Sequence, residues 1–261
     1  MNRVRVGRVA VAVVALAAWE ILPRVPYLRA HTFLDPNFVS LPSLVALRLW
    51  ETTVGAKAGW LWRHAGVSLG AALIGFALGV LAGFTMGLAL SQSQATRRLL
   101  KPFIDAFSAV PPVLLVPLIT LVFGLGTGSK IVTSIYIVFF VVFYNTYKGG
   151  SALPESLTAS CRLLGAGRWD LLRTVVVPSS LAWAFAAFPT AIGNALIGVV
   201  VAEFFGSPLG LGSIIVTSMN TGSATDLMVA IVTLGVMGTG LVGLMAWTER
   251  HALHWRPEYR A

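Results

Sequence analysis

Charge-free stretches of about membrane-spanning length alternate along this chain with short polar, basic segments. Residues 65–90, 131–147, 179–202 and 227–248 contain no Asp, Glu, Lys or Arg. Residues 103–123 hold a single charge, Asp105, and residues 9–22 are interrupted only by Glu20. A helix needs roughly 20 apolar residues to cross a bilayer, so the pattern predicts an all-α membrane protein of about six transmembrane helices. Between the first two runs lies a polar, mixed segment, residues 23–63, broken by Pro36 and Pro42. Its part from 43 to 62 reads as an amphipathic helix lying along the membrane surface. The expected division is therefore an N-terminal anchor and interfacial or extracytoplasmic segment (1–64), a transmembrane domain (65–250) and a short C-terminal tail (251–261).

Composition agrees with the pattern. The 261 residues are 56% hydrophobic and 11% charged, less than half the charge of an ordinary soluble domain. The net charge of +9 would suggest nucleic acid in a soluble protein; between membrane spans, basic residues set orientation instead. Six spans with both ends inside place thirteen Lys and Arg on inner segments and six on outer ones (Arg24, Arg29, Arg48, Lys57, Arg63, Lys130). The positive-inside rule then puts both termini in the cytoplasm. Arg3, Arg5 and Arg8 precede the first apolar run, and Ala15-Leu16-Ala17 loosely fits a signal-peptidase site. The run continues through Trp19, Ile21 and Leu22, so a retained anchor is expected over a cleaved leader.

Gly75, Gly79, Gly83 and Gly87 recur every fourth residue. At helical pitch they make a smooth stripe on which another helix packs, because membrane helices associate through close van der Waals contact. Gly235, Thr239 and Gly243 repeat the idea more weakly. Pro111, Pro112, Pro117 and Pro189 imply kinked helices whose freed carbonyls find partners elsewhere.

Several motifs point nowhere. Residues 124–130, GLGTGSK, lack the glycine before the lysine and the Ser or Thr after it that a phosphate loop requires. They read as a turn between spans, and the chain is not expected to bind ATP through a phosphate loop of its own. His251 and His254 share a helical face without a third ligand, and the single Cys161 offers no metal cluster or disulfide. No metal and no catalytic group is expected. Glu203, at the outer end of a span, is either part of a translocation path or a carboxylate reaching interfacial water. Asn145 and Asn194 line a polar path or hydrogen-bond across helices.

Residues 159–178, ASCRLLGAGRWDLLRTVVVP, place Arg162, Arg168, Asp170 and Arg173 between two apolar runs. Burying four charges at mid-membrane would cost about 10–14 kcal/mol on the insertion scale, so the stretch stays outside the lipid. Residues 155–164 read as a short helix with Leu157, Cys161 and Leu164 on one face, stopped by Gly165 at C′. A second short helix begins after Gly167, with Trp169, Leu172 and Val176 on one side, and Pro178 marks entry into the next span. Two amphipathic helices at a glycine turn present an apolar face for helix-in-groove docking.

This segment resembles the EAA loop of ABC-importer permeases. Ala159-Ser160-Cys161, three residues, Gly165, nine residues and Val175-Val176-Val177-Pro178 keep its register. Arg162, Leu164 and Ala166 match its commoner form, while Ala159 stands where the family has glutamate. VPPVLLVPLITLVFGLGTGSKI and AEFFGSPLGLG extend the likeness to the nitrate/sulfonate/taurine branch of binding-protein-dependent inner membrane components. The resemblance implies a type I importer permease fold, with residues 155–178 as a cytoplasmic coupling loop. Ala159, Cys161, Arg162, Leu164, Gly165, Ala166, Arg168 and Trp169 would then meet an ATPase. It further implies a second permease chain as a homodimer partner, two cytoplasmic ATPase subunits holding ATP and Mg, and an extracytoplasmic binding protein. Implied solutes lean towards sulfonate, taurine or nitrate-like anions, with pyrimidine vitamin precursors and aromatic carboxylates as alternatives. A membrane-integral enzyme and an ATP-independent channel are the competing readings, neither of which requires such a loop.

Overall fold

A computed structural model describes residues 2–27 and 36–253. The helices are α1 (Asn2–Ile21), α2 (Pro42–Thr53), α3 (Trp60–Gln92), α4 (Gln94–Ser108), α5 (Pro112–Phe123) and α6 (Thr127–Ser151). Then come α7 (Glu155–Leu163), α8 (Arg168–Phe204), α9 (Leu211–Thr221) and α10 (Ala224–Ala252). Short helical turns at Leu22–Arg24 and Pro36–Val39 complete the order. Among the described residues no strand occurs. Five helices are long and apolar enough to cross a membrane, and α4 with α5 makes a sixth if the bent pair counts as one span.

The chain divides into two compact units, Met1–Val67 with Leu209–Gly235 and Ser68–Pro208 with Val236–Ala261. In the first, Glu20 of α1 accepts hydrogen bonds from the Ser43 backbone N–H (3.0 Å) and hydroxyl (2.8 Å), and pairs with Arg24. The glutamate that interrupts the first apolar run therefore caps the start of α2. Arg48 of α2 forks onto Asp226 of α10, Nε to Oδ1 at 2.6 Å and a terminal nitrogen to Oδ2 at 3.3 Å. The hydrogen bonds Arg48 donates to Asp226 raise its pKa above the ordinary value against the opposing effect of burial. The surface helix expected over 43–62 is shorter than its pattern: α2 stops at Thr53, and Trp60 already belongs to α3.

The second unit is built on α6 and α8. Val138 and Val142 pack against Ala184, Ala191, Ile192 and Ala195, with Leu241 of α10 closing the cluster. Small residues let these backbones approach, and dispersion at short range supplies the association that hydrophobicity cannot supply in lipid. The glycine stripe of α3 lies on α6. A Cβ at Gly79 would stand 2.7 Å from the Val138 Cβ, at Gly83 2.7 Å from the Phe139 carbonyl, and at Gly87 2.7 Å from the Phe143 carbonyl. Gly75 is as crowded against Ser134. Around Gly235 and Gly243 a Cβ would meet nothing of the described chain within 4 Å, unlike the stripe of α3.

The run expected as a straight third span is broken: α4 and α5 meet at 92°. Pro111 and Pro112 sit at the bend and cannot donate the N–H groups that would carry the helix through. The Tyr136 hydroxyl of α6 braces the bend, donating to Phe107 O at 2.6 Å and lying 3.2 Å from Val110 O. Below the bend, Asp105 joins Lys101 (2.5 Å) and accepts from the Tyr144 hydroxyl (2.8 Å), fastening α4 to α6.

Candidate functional site

The local sequence between α7 and α8 builds a rigid turn. The α7 helix ends in a Schellman arrangement, with the Gly165 N–H donating to Arg162 O (2.9 Å) and the Ala166 N–H to Cys161 O (3.0 Å). Gly165 takes φ +91°, a backbone region that a Cβ strains. The next helix begins at once: the Gly167 N–H donates to Asp170 Oδ2 at 2.9 Å, satisfying an amide at the helix N-terminus. Two helices are thus clamped about a short glycine-rich link with their end groups bonded.

Beyond Gly167 the chain does not form a separate short helix. Arg168 opens a continuous helical rod that runs to Phe204, with one π-helical turn at Leu172–Val176. In a regular helix the Pro178 ring would press on the carbonyl of Thr174, and a widened turn just ahead of it relieves that crowding. The expected common side of Trp169, Leu172 and Val176 is not kept, since Trp169 is exposed and Val176 buried. The consequence is mechanical: the segment after the glycine turn is the end of the same rod that packs on α6.

Around this turn the surface is apolar. Leu163 is 88% exposed, Leu164 89% and Trp169 70%, with Leu157 exposed on α7 as well. Ala159, Arg162 and Arg168 are exposed, whereas Cys161 and Ala166 are half-buried. Covering a leucine or similar side chain is worth roughly 1.5–3 kcal/mol. Three such residues beside two arginines make a patch suited to a protein groove.

The residues considered for a translocation path fall in three different settings. Asn145 donates from Nδ2 to Val141 O on its own helix (2.8 Å). Glu203 does not reach interfacial water: it is 1% exposed and its Oε1 lies 3.2 Å from the Lys130 Nζ, itself 2% exposed. The Ser68 hydroxyl donates to the same Oε1 at 2.8 Å. Lys130 is therefore no loop residue. It belongs to the first turn of α6, which begins at Thr127, and ties that turn to the last turn of α8. The clue was available in the sequence, because one lone lysine and one lone glutamate stand at the same end of spans that neighbour each other in order.

Asn194 lies elsewhere. It lines a cavity of about 320 Å³ between α5, α6 and α8, with Val113, Val116, Ile137, Ile197 and Val201 as apolar walls and Thr133 as the other polar residue. The Thr133 hydroxyl is already committed to Ser129 O at 2.8 Å. Among the described residues no group of three or more His, Cys, Asp or Glu could hold a metal. The His251–His254 pair lies partly outside the described residues; His251 itself lies against Trp247, ring centroids 4.2 Å apart and planes tilted by 40°.

The chain is similar to known proteins over most of its length. The family described as binding-protein-dependent transport system inner membrane component matches residues 75–251. The riboflavin transport system permease protein RibX of Chloroflexus aurantiacus is 33% identical over 214 residues, 82% of this chain and 79% of that protein. The putative aliphatic sulfonates transport permease protein SsuC of Bacillus subtilis is 26% identical over 246 residues, 94% of this chain and 86% of that one. A solved chain of the MetNI methionine ABC transporter shares the fold, with TM-score 0.63 at 18% identity, covering 75% of this chain and 95% of that chain.

Proposed function

The chain belongs to the family of binding-protein-dependent transport system inner membrane components, and on that premise we propose that it is the pore-forming subunit of an ATP-driven importer. Two copies form the pathway. Two ATPase subunits, which hold ATP and Mg, grip the turns at Gly165 from the cytoplasm, and an extracytoplasmic binding protein delivers the solute. Both termini face the cytoplasm, as the Lys and Arg asymmetry favours.

The observation that supports this most is the exposed apolar patch of Leu163, Leu164 and Trp169 about a turn with φ +91° at Gly165. ATPase closure displaces the two clamped helices as one body. Because Arg168–Phe204 is one continuous helix, the displacement reaches the α6–α8 packing core through a single π turn at Leu172–Val176. Rigid-body gating of this kind needs a bistable interface and few hinges. The absence of the family's glutamate at Ala159 leaves docking to the apolar residues and to Arg162 and Arg168.

The solute is small. The resemblance to the sulfonate, taurine and nitrate branch favours an anion, and the 33% identity with a riboflavin permease favours an organic ring. The test is reconstitution of the permease with its ATPase and binding protein in liposomes. Uptake of the binding protein's ligand should require ATP hydrolysis. Uptake by the permease alone, without nucleotide, would show a channel instead.

A further inference from the structure

Asn194 stands ten residues before the end of α8 at Phe204. At 1.5 Å per residue that is about 15 Å of helix, half the thickness of a bilayer core. Among the described residues its amide makes no hydrogen bond, although Asn145 on α6 satisfies itself on Val141 O. An unpartnered amide facing hydrocarbon costs several kcal/mol, so the cavity it lines is not filled by lipid tails. The space is about 320 Å³, the size of one small ligand.

The chemistry of the lining is selective. Its walls are valine, isoleucine and proline, and none of the lining residues is charged. The nearest basic group on α6, Lys130, is spent on Glu203 one turn away. An inorganic oxyanion or a sulfonate would lose its hydration shell here without gaining a cation. An amide, by contrast, offers a donor and an acceptor side by side. It pairs with the adjacent C=O and N–H of a lactam, imide or carboxamide, while the apolar walls take the rest of the ring.

We propose that this cavity is a mid-membrane solute subsite, that Asn194 sets its specificity, and that it accepts an uncharged organic ring bearing an amide-like edge. The proposal rests on the permease reading and, of its two solute classes, selects the organic ring over the anion.

The test uses full-length chain co-purified with its ATPase in nanodiscs, with Cys161→Ser and Ile197→Cys as the sole thiol. A charged, membrane-impermeant maleimide should label position 197, because Ile197 is 59% exposed at the rim of the cavity. Uracil, thymine or nicotinamide at about ten times its dissociation constant should slow labelling about tenfold by mass action. Taurine and nitrate should not. Asn194→Leu should abolish the protection while labelling persists. Failure to label, protection by none of the three rings, equal protection by taurine, or protection that survives Asn194→Leu would each overturn the subsite. ATPase co-purification in the same preparation reports on the permease reading separately.

Discussion

Removing one member of the buried pair Lys130–Glu203 should damage the fold far more than removing both. The two charges lie 3.2 Å apart with side chains 2% and 0% exposed. At an effective dielectric constant near 20 their attraction is ~5 kcal/mol. The charge-assisted bond from Ser68 adds about 1.5–3 kcal/mol, and desolvation offsets several kcal/mol for each ion. The intact pair therefore contributes little net stability. Glu203→Leu or Lys130→Met alone, however, leaves one buried ion without its counter-charge, which typically costs 3–5 kcal/mol. The double variant Lys130→Met with Glu203→Leu should return to within about 1 kcal/mol of the parent. The assay is unfolding of the purified chain by SDS in mixed micelles, with uptake measured alongside. The cycle should show a coupling energy of about 3 kcal/mol or more between the two positions. Single variants within about 1 kcal/mol of the parent, or a double variant equal to the sum of the singles, would refute the reasoning.

Three further substitutions probe the turn and the bend. Gly165→Val should weaken co-purification with the ATPase, since a β-branched residue at φ +91° costs roughly 1–3 kcal/mol. Nothing lies within 4 Å of a Cβ there, so thermal stability of the isolated chain should fall by no more than that strain. Trp169→Ala, at a side chain 70% exposed, should leave folding intact and weaken ATPase binding by about 2 kcal/mol or more, as loss of a groove anchor does; isothermal titration in detergent measures it. Tyr136→Phe removes the hydroxyl that serves Phe107 O and Val110 O at the bend. It should cost about 0.5–1.5 kcal/mol, the net worth of one hydrogen bond, because Phe107 O keeps the Val110 N–H; SDS unfolding reads it.

What the sequence revealed was local. The charge-free runs located the spans, and the helix–glycine–helix grammar around Gly165 appears as the Schellman closure on Arg162 O and Cys161 O. The bend was half legible: Pro111 and Pro112 announced a break, but neither its 92° nor the Tyr136 hydroxyl that reaches it from another helix could be read from the chain. Pro178 suggested a helix boundary, yet the chain passes it as one rod because a π turn just ahead opens the coil. Lys130 was the largest omission. Behind a GLGTGS stretch it reads as a surface charge, and only its place at the same end of consecutive spans as Glu203 hints at the pair. Asn194 could be picked out as a polar residue in a span, but its cavity exists only where α5, bent at the prolines, meets α6 and α8.

The central claim is that a separate ATPase seats on the turn at Gly165. Leu164→Cys in a Cys161→Ser background places one thiol on the patch, where the native leucine is 89% exposed. A short bifunctional crosslinker added to membranes holding the permease and its ATPase should join the two chains in a band that changes with nucleotide. Thiols at Leu164 and at the control position Leu121 that fail alike to capture the ATPase, in membranes where both proteins are present, would contradict the account.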